Sequence, residues 1–184
     1  MKVDRIKIYG STCSGKTSLA IQLSEILKIP VYHLDDIFWE ENWQEKHPQE
    51  FKEEVEKIVK NERWIIDVNY SRVKEITLPR TTLAIILNPS LIVVYWRLIV
   101  RSLVRRDLID KRVTRLLMRI TEEKRKFSAI RSILELAPHA FKFKYFRLEK
   151  IITECTNALE SENLVILKRN KHINQFLQHL STLE

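Results

Sequence analysis

Eight residues near the start of the chain have the types and spacing of a loop that holds phosphate groups. Residues 10–17 read Gly-Ser-Thr-Cys-Ser-Gly-Lys-Thr, which fits the pattern G-x-x-x-x-G-K-[ST] in full. Glycines let consecutive backbone N–H groups turn toward one anion, and the positive end of a following helix favours the same charge. Lys16 adds a mobile positive charge, and the Thr17 hydroxyl can coordinate a Mg²⁺ ion that bridges terminal phosphates. The loop therefore predicts binding of a nucleoside triphosphate together with its metal.

This window also holds every glycine of the chain. Average usage near 7% would give about 13 glycines in 184 residues, yet there are two, Gly10 and Gly15. Their placement indicates that the loop requires them. We assign to nucleotide binding the window and the residue after it: Gly10, Ser11, Thr12, Cys13, Ser14, Gly15, Lys16, Thr17 and Ser18. Cys13 is expected to be a small loop residue rather than a nucleophile, because no base is placed beside it.

Two aspartates follow predicted strands and are candidates for the acid that a triphosphate site needs. Asp67 closes the run Trp-Ile-Ile-Asp, and Asp35 follows the second predicted strand. Both would lie at the carboxyl edge of the sheet, where ligands bind in open α/β folds. We expect Asp67 to serve the metal with Thr17. For Asp35 and its neighbour Asp36, ordinary helix capping or loop solvation stays open as an alternative.

Three arginines follow the fourth predicted strand at helical spacing. Arg97, Arg101 and Arg105 recur at i, i+4 and i+8, so one helix face carries all three guanidinium groups. Arginines stabilise the charge that spreads over a phosphoryl group during its transfer. The alternative is a solvated helix face, and it weighs more on Arg105 than on the first two.

Strands and helices alternate along the chain and would position these residues. Short β-branched or apolar runs predict five strands, at residues 5–9, 29–34, 64–67, 83–87 and 164–167. Apolar residues at helical spacing predict helices at residues 16–27, about 51–61, 90 to beyond 101 and 173–180. Residues 107–160 are predicted to be wholly helical, although they are basic and only loosely periodic. This alternation is typical of right-handed crossovers and a parallel sheet with helices on both faces. The predicted fold class is therefore α/β.

Length and composition limit the class of protein. A chain of 184 residues is the size of one globular domain, and its 45% apolar and 30% charged residues exclude a disordered or collagen-like chain. Two cysteines, Cys13 and Cys155, cannot form the disulfide framework of a small secreted domain, so we expect a reducing, cytoplasmic setting. The first residues lack the apolar stretch of an export signal, and no run is long enough to cross a bilayer, so we expect no membrane partner.

Positive charge is concentrated in one region. Residues 97–150 contain 16 Lys and Arg against 6 Asp and Glu, whereas the rest of the chain contains 16 against 18. This cluster can contact phosphate groups of a small substrate, a nucleic-acid backbone, or only water on a solvated face. We expect the tryptophans Trp39, Trp43 and Trp96 to pack in the core rather than line a substrate cleft.

With the loop, the strand-end acids and the arginines, the chain resembles the adenylate-kinase-like P-loop proteins, and most closely the group known as topology modulation proteins. Besides the loop, the segments that carry the likeness are 31–39 with its trailing Trp43, 63–72, 78–80, 83–89 with Arg97, and 164–180. The resemblance implies a three-layer sandwich with five parallel strands in the order 2-3-1-4-5. It also implies ATP on the loop and Asp67 as the Walker B acid.

The same resemblance implies two further features of the nucleotide site. Arg97 and Arg101 would make phosphate or base contacts from the lid side, and the turn at residues 168–170, which contains Arg169, would lie against adenine. The chain departs from the group at Val68, where glycine is usual, and at Asn88, where aspartate is common. Residues 107–150 match the group poorly, although a lid and an acceptor pocket would be built there. We expect one domain over residues 1–184 with a basic, helical lid region at about 105–150.

The leading hypothesis is an ATP- and Mg²⁺-dependent phosphotransferase of the nucleotide or small-molecule kinase type. The expected catalytic residues are Lys16, Asp35, Arg97 and Arg101, and the expected acceptor-side residues are Asp35, Asp67, Asn69, Tyr70, Arg72 and Arg80. The rival hypothesis is a nucleotide-switched protein that binds DNA or a protein partner through residues 97–150. A third is a former kinase that binds ATP without turnover, which the departures at Val68 and Asn88 keep open.

Overall fold

The computed structural model describes residues 3–40, 44–67, 70–103 and 129–182. Five parallel strands form one sheet: β1 (Arg5–Gly10), β2 (Val31–His33), β3 (Trp64–Asp67), β4 (Leu83–Leu87) and β5 (Leu164–Leu167). Their order is β2-β3-β1-β4-β5, and every pairing is parallel. The predicted order is therefore confirmed, and β1 lies at the centre of the sheet, where the strand order reverses.

Helices connect the strands in the predicted alternation. They are α1 (Lys16–Leu27), α2 (Leu34–Phe38), α3 (Pro48–Lys60), α4 (Lys74–Thr77), α5 (Leu91–Leu103), α6 (Ala129–Lys142), α7 (Leu148–Ala158) and α8 (Asn170–Ser181). A π-helical turn, Phe143–Arg147, joins α6 to α7. Of the helices that the structure describes, none is both long and apolar enough to cross a membrane.

Helices pack against both faces of the sheet, which confirms the predicted α/β class with three layers. Alternate residues of β1 divide between the two faces, because successive side chains of a strand point to opposite sides. Ile6 and Ile8 join a core with α1 and α8, in which Leu23 and Leu180 are buried. The opposite face packs against α3 near β3 and against α7 near β4. Burial of this kind, roughly 25 cal/mol per Å² of apolar surface, is the main stabilising contribution to the fold.

Two of the element boundaries that differ from the prediction have local reasons. β2 ends at His33 because α2 begins at the next residue, so Asp35 lies in the first turn of a helix rather than in a loop. α5 begins at Leu91, and the Ser90 hydroxyl accepts a hydrogen bond from the Val93 N–H at 3.4 Å. A serine in that position satisfies one of the N–H groups that a helix start leaves open.

The prediction that the tryptophans pack in the core is wrong for two of them. Trp96 is 65% exposed on α5, and Trp39 is 37% exposed just after α2. Trp96 lies on the side of α5 away from Val94 and Leu98, which are the residues of this helix that face the core. Trp43 lies outside the described residues.

A lysine is buried in the middle of the sheet, on the face that α4 and α7 cover. The ammonium group of Lys7 donates a hydrogen bond to the Thr77 hydroxyl and lies 5.1 Å from the centre of the Tyr9 ring. Burial lowers the pKa of Lys7 from 10.5 to about 8, although the nearby carboxylate of Glu154 acts in the opposite direction. Below pH 8 the fold therefore holds a charged group in an apolar layer.

This burial predicts how the stability of the protein depends on pH. Between pH 8 and pH 10.5 the unfolded chain still binds the Lys7 proton while the folded chain has released it, so the free energy of unfolding gains a contribution that rises with pH. Replacement by methionine, Lys7→Met, removes this contribution. We expect the free energy of unfolding of wild type to rise by about 2 kcal/mol relative to that of the variant between pH 7 and pH 10.

The measurement is urea unfolding of both proteins at the two pH values. Comparing the two proteins at each pH cancels the titration of the groups that they share and that do not interact with Lys7. A difference in unfolding free energy that stays constant from pH 7 to pH 10 would show that Lys7 titrates normally.

Candidate functional site

The loop between β1 and α1 needs its two glycines for different reasons. Gly15 has a φ of 102°, in the left-handed region that residues with a side chain rarely adopt. Gly10 lies so close to β4 that a Cβ would stand 3.1 Å from the backbone oxygen of Leu87. Cys13, with a φ of 54°, is also left-handed, which is a conformation found in anion-binding backbone nests. The loop thus has the geometry that the sequence pattern predicts.

The N-terminus of α1 is open toward this loop. Gly15 is its N-cap residue, no described side chain caps its first N–H groups, and its first turn contains no acidic residue. Lys16 Nζ donates a hydrogen bond to the backbone oxygen of Ser11 at 3.0 Å, so the ammonium group is held at the loop. Uncapped N–H groups, the positive end of the helix and an adjacent ammonium group together favour an anion at this point.

Asp67 links this loop to the end of β3. Its Oδ2 accepts a hydrogen bond from the Thr17 hydroxyl at 2.8 Å, and His33 Nδ1 lies 3.5 Å from the same oxygen. Its other oxygen, Oδ1, is buried and has no hydrogen-bond partner among the described residues. A buried carboxylate oxygen without a partner is costly. The arrangement is therefore suited to a donor or a cation that approaches Oδ1.

Two of the predicted arginines contact the loop from α5. Arg97 donates one hydrogen bond to the backbone oxygen of Ser14 at 2.9 Å and another to Asn170 Oδ1 at 2.8 Å. Arg97 Nη1 is also the atom nearest to the position of a Cβ at Gly15, at 3.5 Å. Arg101 is exposed, and its Nη1 lies 3.9 Å from Cys13 Sγ. Arg97 thus braces the loop against the start of α8, and Arg101 places a second guanidinium group beside it.

A cavity of about 650 Å³ opens beside the loop. Ser14 and Arg97 line it on the loop side, and Arg169 and Asn170 line it from the turn between β5 and α8. Lys144, from the π-helical turn after α6, also lines the cavity, and its ammonium group donates to Asn88 Oδ1 at 2.9 Å. Among the described lining residues there is no carboxylate, so the cavity offers donors and positive charge to a ligand.

Asp35 lies in a second cluster of polar and aromatic groups. The Tyr70 hydroxyl hydrogen-bonds to the Asp35 carboxylate and to the side chain of Trp39. Burial raises the pKa of Tyr70 far above its usual value, and the adjacent carboxylate of Asp35 adds to this effect. The tyrosine therefore stays protonated as a hydrogen-bond donor. The ring of Phe38 packs against it, with 4.5 Å between the ring centres.

The two arginines predicted on the acceptor side, Arg72 and Arg80, lie in different parts of the structure. Arg72 is exposed, pairs with Glu45 at 3.3 Å and lies 5.8 Å from the ring centre of Phe38, so it belongs to the cluster around Asp35. Arg80 does not reach the loop. It lies two residues before Thr82, whose backbone N–H bonds to Arg5 at the start of β1, and the loop follows the end of that strand. At roughly 3.3 Å per residue the two ends of β1 are about 17 Å apart.

Some predicted residues lie outside the described ranges. Asn69 and the departure at Val68 fall between Asp67 and Tyr70, and Arg105 falls after α5. The lid at about 105–150 and the nucleic-acid surface at 97–150 stay predictions, because both include residues 104–128.

Two residues beside the loop received no role from the sequence. His33 is paired with Asp67 in the register of β2 and β3, so two adjacent strand ends carry polar side chains. That signal was present in the sequence once both strands were predicted. Lys144 had no comparable signal, because its position depends on the path of α6 and on the π-helical turn.

Comparison with solved structures establishes the fold. The chain is similar to a shikimate kinase from Bacteroides thetaiotaomicron, with a TM-score of 0.53 and 17% identity over 98% of this chain and 97% of that chain. It is also similar to a shikimate kinase from Acinetobacter baumannii solved in complex with shikimate, with a TM-score of 0.51 and 12% identity over 99% and 93% of the two chains. No protein-family model and no curated protein sequence matches the chain. The chain therefore shares the fold of these structures, an α/β fold with a parallel five-stranded sheet in the order 2-3-1-4-5.

Because Arg97 makes two hydrogen bonds from two nitrogens, we predict that lysine at this position cannot hold the loop in the same way. In Arg97→Lys the charge is kept, but a single ammonium group replaces the fork that joins Ser14 to Asn170. We expect binding of inorganic tripolyphosphate, measured by calorimetry, to weaken about tenfold, because the loop loses its brace and the anion loses a donor.

Arg63 offers a matched control at the other end of the sheet. Its guanidinium group also bonds to a backbone oxygen, that of Leu27, and lies near Asp4. Arg63→Lys should leave tripolyphosphate binding unchanged. Equal affinities of Arg97→Lys and wild type would contradict the bracing role.

Proposed function

We propose that this chain is an ATP- and Mg²⁺-dependent phosphotransferase that moves the γ-phosphoryl group of ATP to a hydroxyl group of a small acceptor. The observation that carries the proposal is the 2.8 Å hydrogen bond between Thr17 and Asp67, which joins the phosphate-binding loop to the end of the neighbouring strand. Two solved structures that share this fold are named shikimate kinases, which supports the class of reaction. The acceptor is not implied by that likeness.

The nucleotide would lie along the loop and into the cavity. Backbone N–H groups of residues 11–17 and the Lys16 ammonium group hold the β- and γ-phosphates at the open end of α1. The ribose and base occupy the cavity of about 650 Å³, where Arg169 and Asn170 approach from one side and Lys144 from the other. A cavity of this size is typical of small-ligand sites.

The residues beside the loop fit a magnesium ion. Mg²⁺ prefers oxygen ligands and keeps several waters, and the site offers the Thr17 hydroxyl, phosphate oxygens of the nucleotide, and the unpartnered Oδ1 of Asp67. A bound ion neutralises charge on the terminal phosphates. Thr17 would hold it directly, and Asp67 would accept hydrogen bonds from its water shell.

The acceptor would bind near Asp35. In the transfer, the acceptor oxygen forms a bond to the γ-phosphorus while the bond from that phosphorus to the β–γ bridging oxygen breaks, which leaves ADP. Asp35 takes the hydroxyl proton, and the Tyr70 hydroxyl orients the carboxylate through their hydrogen bond. Lys16, Arg97 and Arg101 stabilise the charge on the moving group. Arg72 is available to the acceptor if its exposed pair with Glu45 opens.

Finer parts of the hypothesis stay predictions. The likeness to the topology modulation group and a role for Asn69 rest on the sequence alone. The cytoplasmic setting was predicted from the cysteine content and also stays a prediction. A nucleotide-switched DNA or protein binder, and an ATP binder without turnover, differ from the proposal in one outcome: neither forms ADP faster when an acceptor is added. Arg80 is left out of the proposed acceptor site, because it lies near the start of β1, at the end of the strands opposite the phosphate-binding loop.

The direct test is an ADP-formation assay with ATP, Mg²⁺ and a panel of acceptors: nucleosides, nucleoside monophosphates, sugars and hydroxylated carboxylic acids, including shikimate. We expect at least one acceptor to accelerate ADP formation and to appear as its phosphate ester. Binding of ATP with no acceleration by any acceptor class would contradict transfer and favour a regulatory nucleotide binder.

Single variants separate nucleotide binding from transfer. Lys16→Ala should abolish turnover without unfolding the domain, because the charge at the β- and γ-phosphates is lost. Asp35→Asn should lower kcat by about 100-fold or more while ATP affinity is kept, because only the proton acceptor is removed. Asp36→Asn, at the adjacent exposed position, is the matched control and should behave as wild type. Equal kcat values for Asp35→Asn and Asp36→Asn would exclude Asp35 as the base.

A further inference from the structure

The two oxygens of the Asp67 carboxylate have unequal surroundings. Oδ2 is contacted from two separate elements, by the Thr17 hydroxyl of α1 and by the His33 ring at the end of β2. Oδ1 is buried and unpartnered among the described residues. The second contact, from His33 Nδ1 at 3.5 Å, restricts how far the carboxylate group can turn about its hydrogen bond to Thr17. The free oxygen is therefore held in one direction.

His33 is itself rigidly placed. Its backbone pairs with Asp67 in the parallel register of β2 and β3, and the next residue, Leu34, begins α2 and is fully buried. The His33 side chain is only 17% exposed, and that of Asp67 only 6%. Residues paired across parallel strands present their side chains to the same face of the sheet, so the imidazole ring is directed toward the carboxylate by the sheet itself.

We propose that His33 is a positioning residue that holds the Asp67 carboxylate so that Oδ1 faces the metal and its waters. The proposal rests on the proposed function, because it concerns the site at which MgATP would bind. Groups that orient a residue serving a metal commonly contribute a tenfold or larger part of metal affinity. In this chain the orienting group comes from the last residue of β2. The sequence analysis assigned a role near this strand only to Asp35, which follows it.

The test measures the affinity for a non-hydrolysable ATP analogue by calorimetry, with Mg²⁺ and with EDTA. The ratio of the two dissociation constants is the gain in affinity due to Mg²⁺. In His33→Leu we expect this gain to fall about tenfold, while the affinity in EDTA changes by less than about twofold. In His33→Asn, whose amide nitrogen occupies the place of Nδ1 and can still donate to the carboxylate, most of the gain should remain.

Tyr32 provides a matched control on the same strand. Its hydroxyl lies 3.5 Å from Asn61 Nδ2 on the exposed side, away from Asp67. Tyr32→Phe should keep the wild-type gain. If His33→Leu does not fold, as judged by thermal unfolding, His33→Ser serves in its place, because its hydroxyl is polar but one bond nearer the backbone than Nδ1 and too short to reach Oδ2; the same loss of the gain is expected.

The outcomes distinguish the two proposals. A wild-type gain that survives in His33→Leu, or in its Ser substitute, overturns the positioning role and leaves the proposed function intact. A fall in affinity by the same factor with Mg²⁺ and with EDTA also overturns it, since a merely structural role would have that effect. A wild-type chain that binds no analogue, or binds it equally with Mg²⁺ and EDTA, overturns the proposed MgATP site itself.

Discussion

The open N-terminus of α1 is the feature on which the rest of the site depends. The first N–H groups of a helix lack partners within the helix, and in this chain no described side chain caps them. The loop that precedes them is shaped by Gly10 and Gly15 and cannot be replaced by an ordinary turn, because one position is left-handed and the other touches β4. Such an end favours an anion, which under the proposed function is the polyphosphate of ATP.

The surrounding elements fix the groups that complete this end. Parallel strands bring their carboxyl ends to one edge, so Asp67 from β3 and His33 from β2 meet beside the loop that follows β1. Arg97 joins the loop to the start of α8 through two hydrogen bonds. Each group comes from an element whose opposite face is buried in the core, so the geometry of the site is set by packing rather than by flexible loops. This is the arrangement that transfer of a charged group requires.

Local patterns in the sequence predicted much of this arrangement. The bounds of β3, β4 and β5 agree with the prediction to the residue, because each is a short run of apolar residues set between polar ones. The glycines and Lys16 are close in sequence, so their spacing alone specified the loop. Arg80 and Lys144 could not be placed in this way. Their positions depend on how far α4 carries the chain back along the sheet and on the turn between α6 and α7, which are tertiary properties.

The most direct test of the account is to follow the backbone amide signals of residues 11–17 by NMR while a non-hydrolysable ATP analogue and Mg²⁺ are added. If main-chain N–H groups hold the phosphates, these signals shift strongly on saturation, and their exchange with solvent slows. Shifts confined to other parts of the chain, with the loop amides unchanged, would contradict the central claim that this loop binds the polyphosphate.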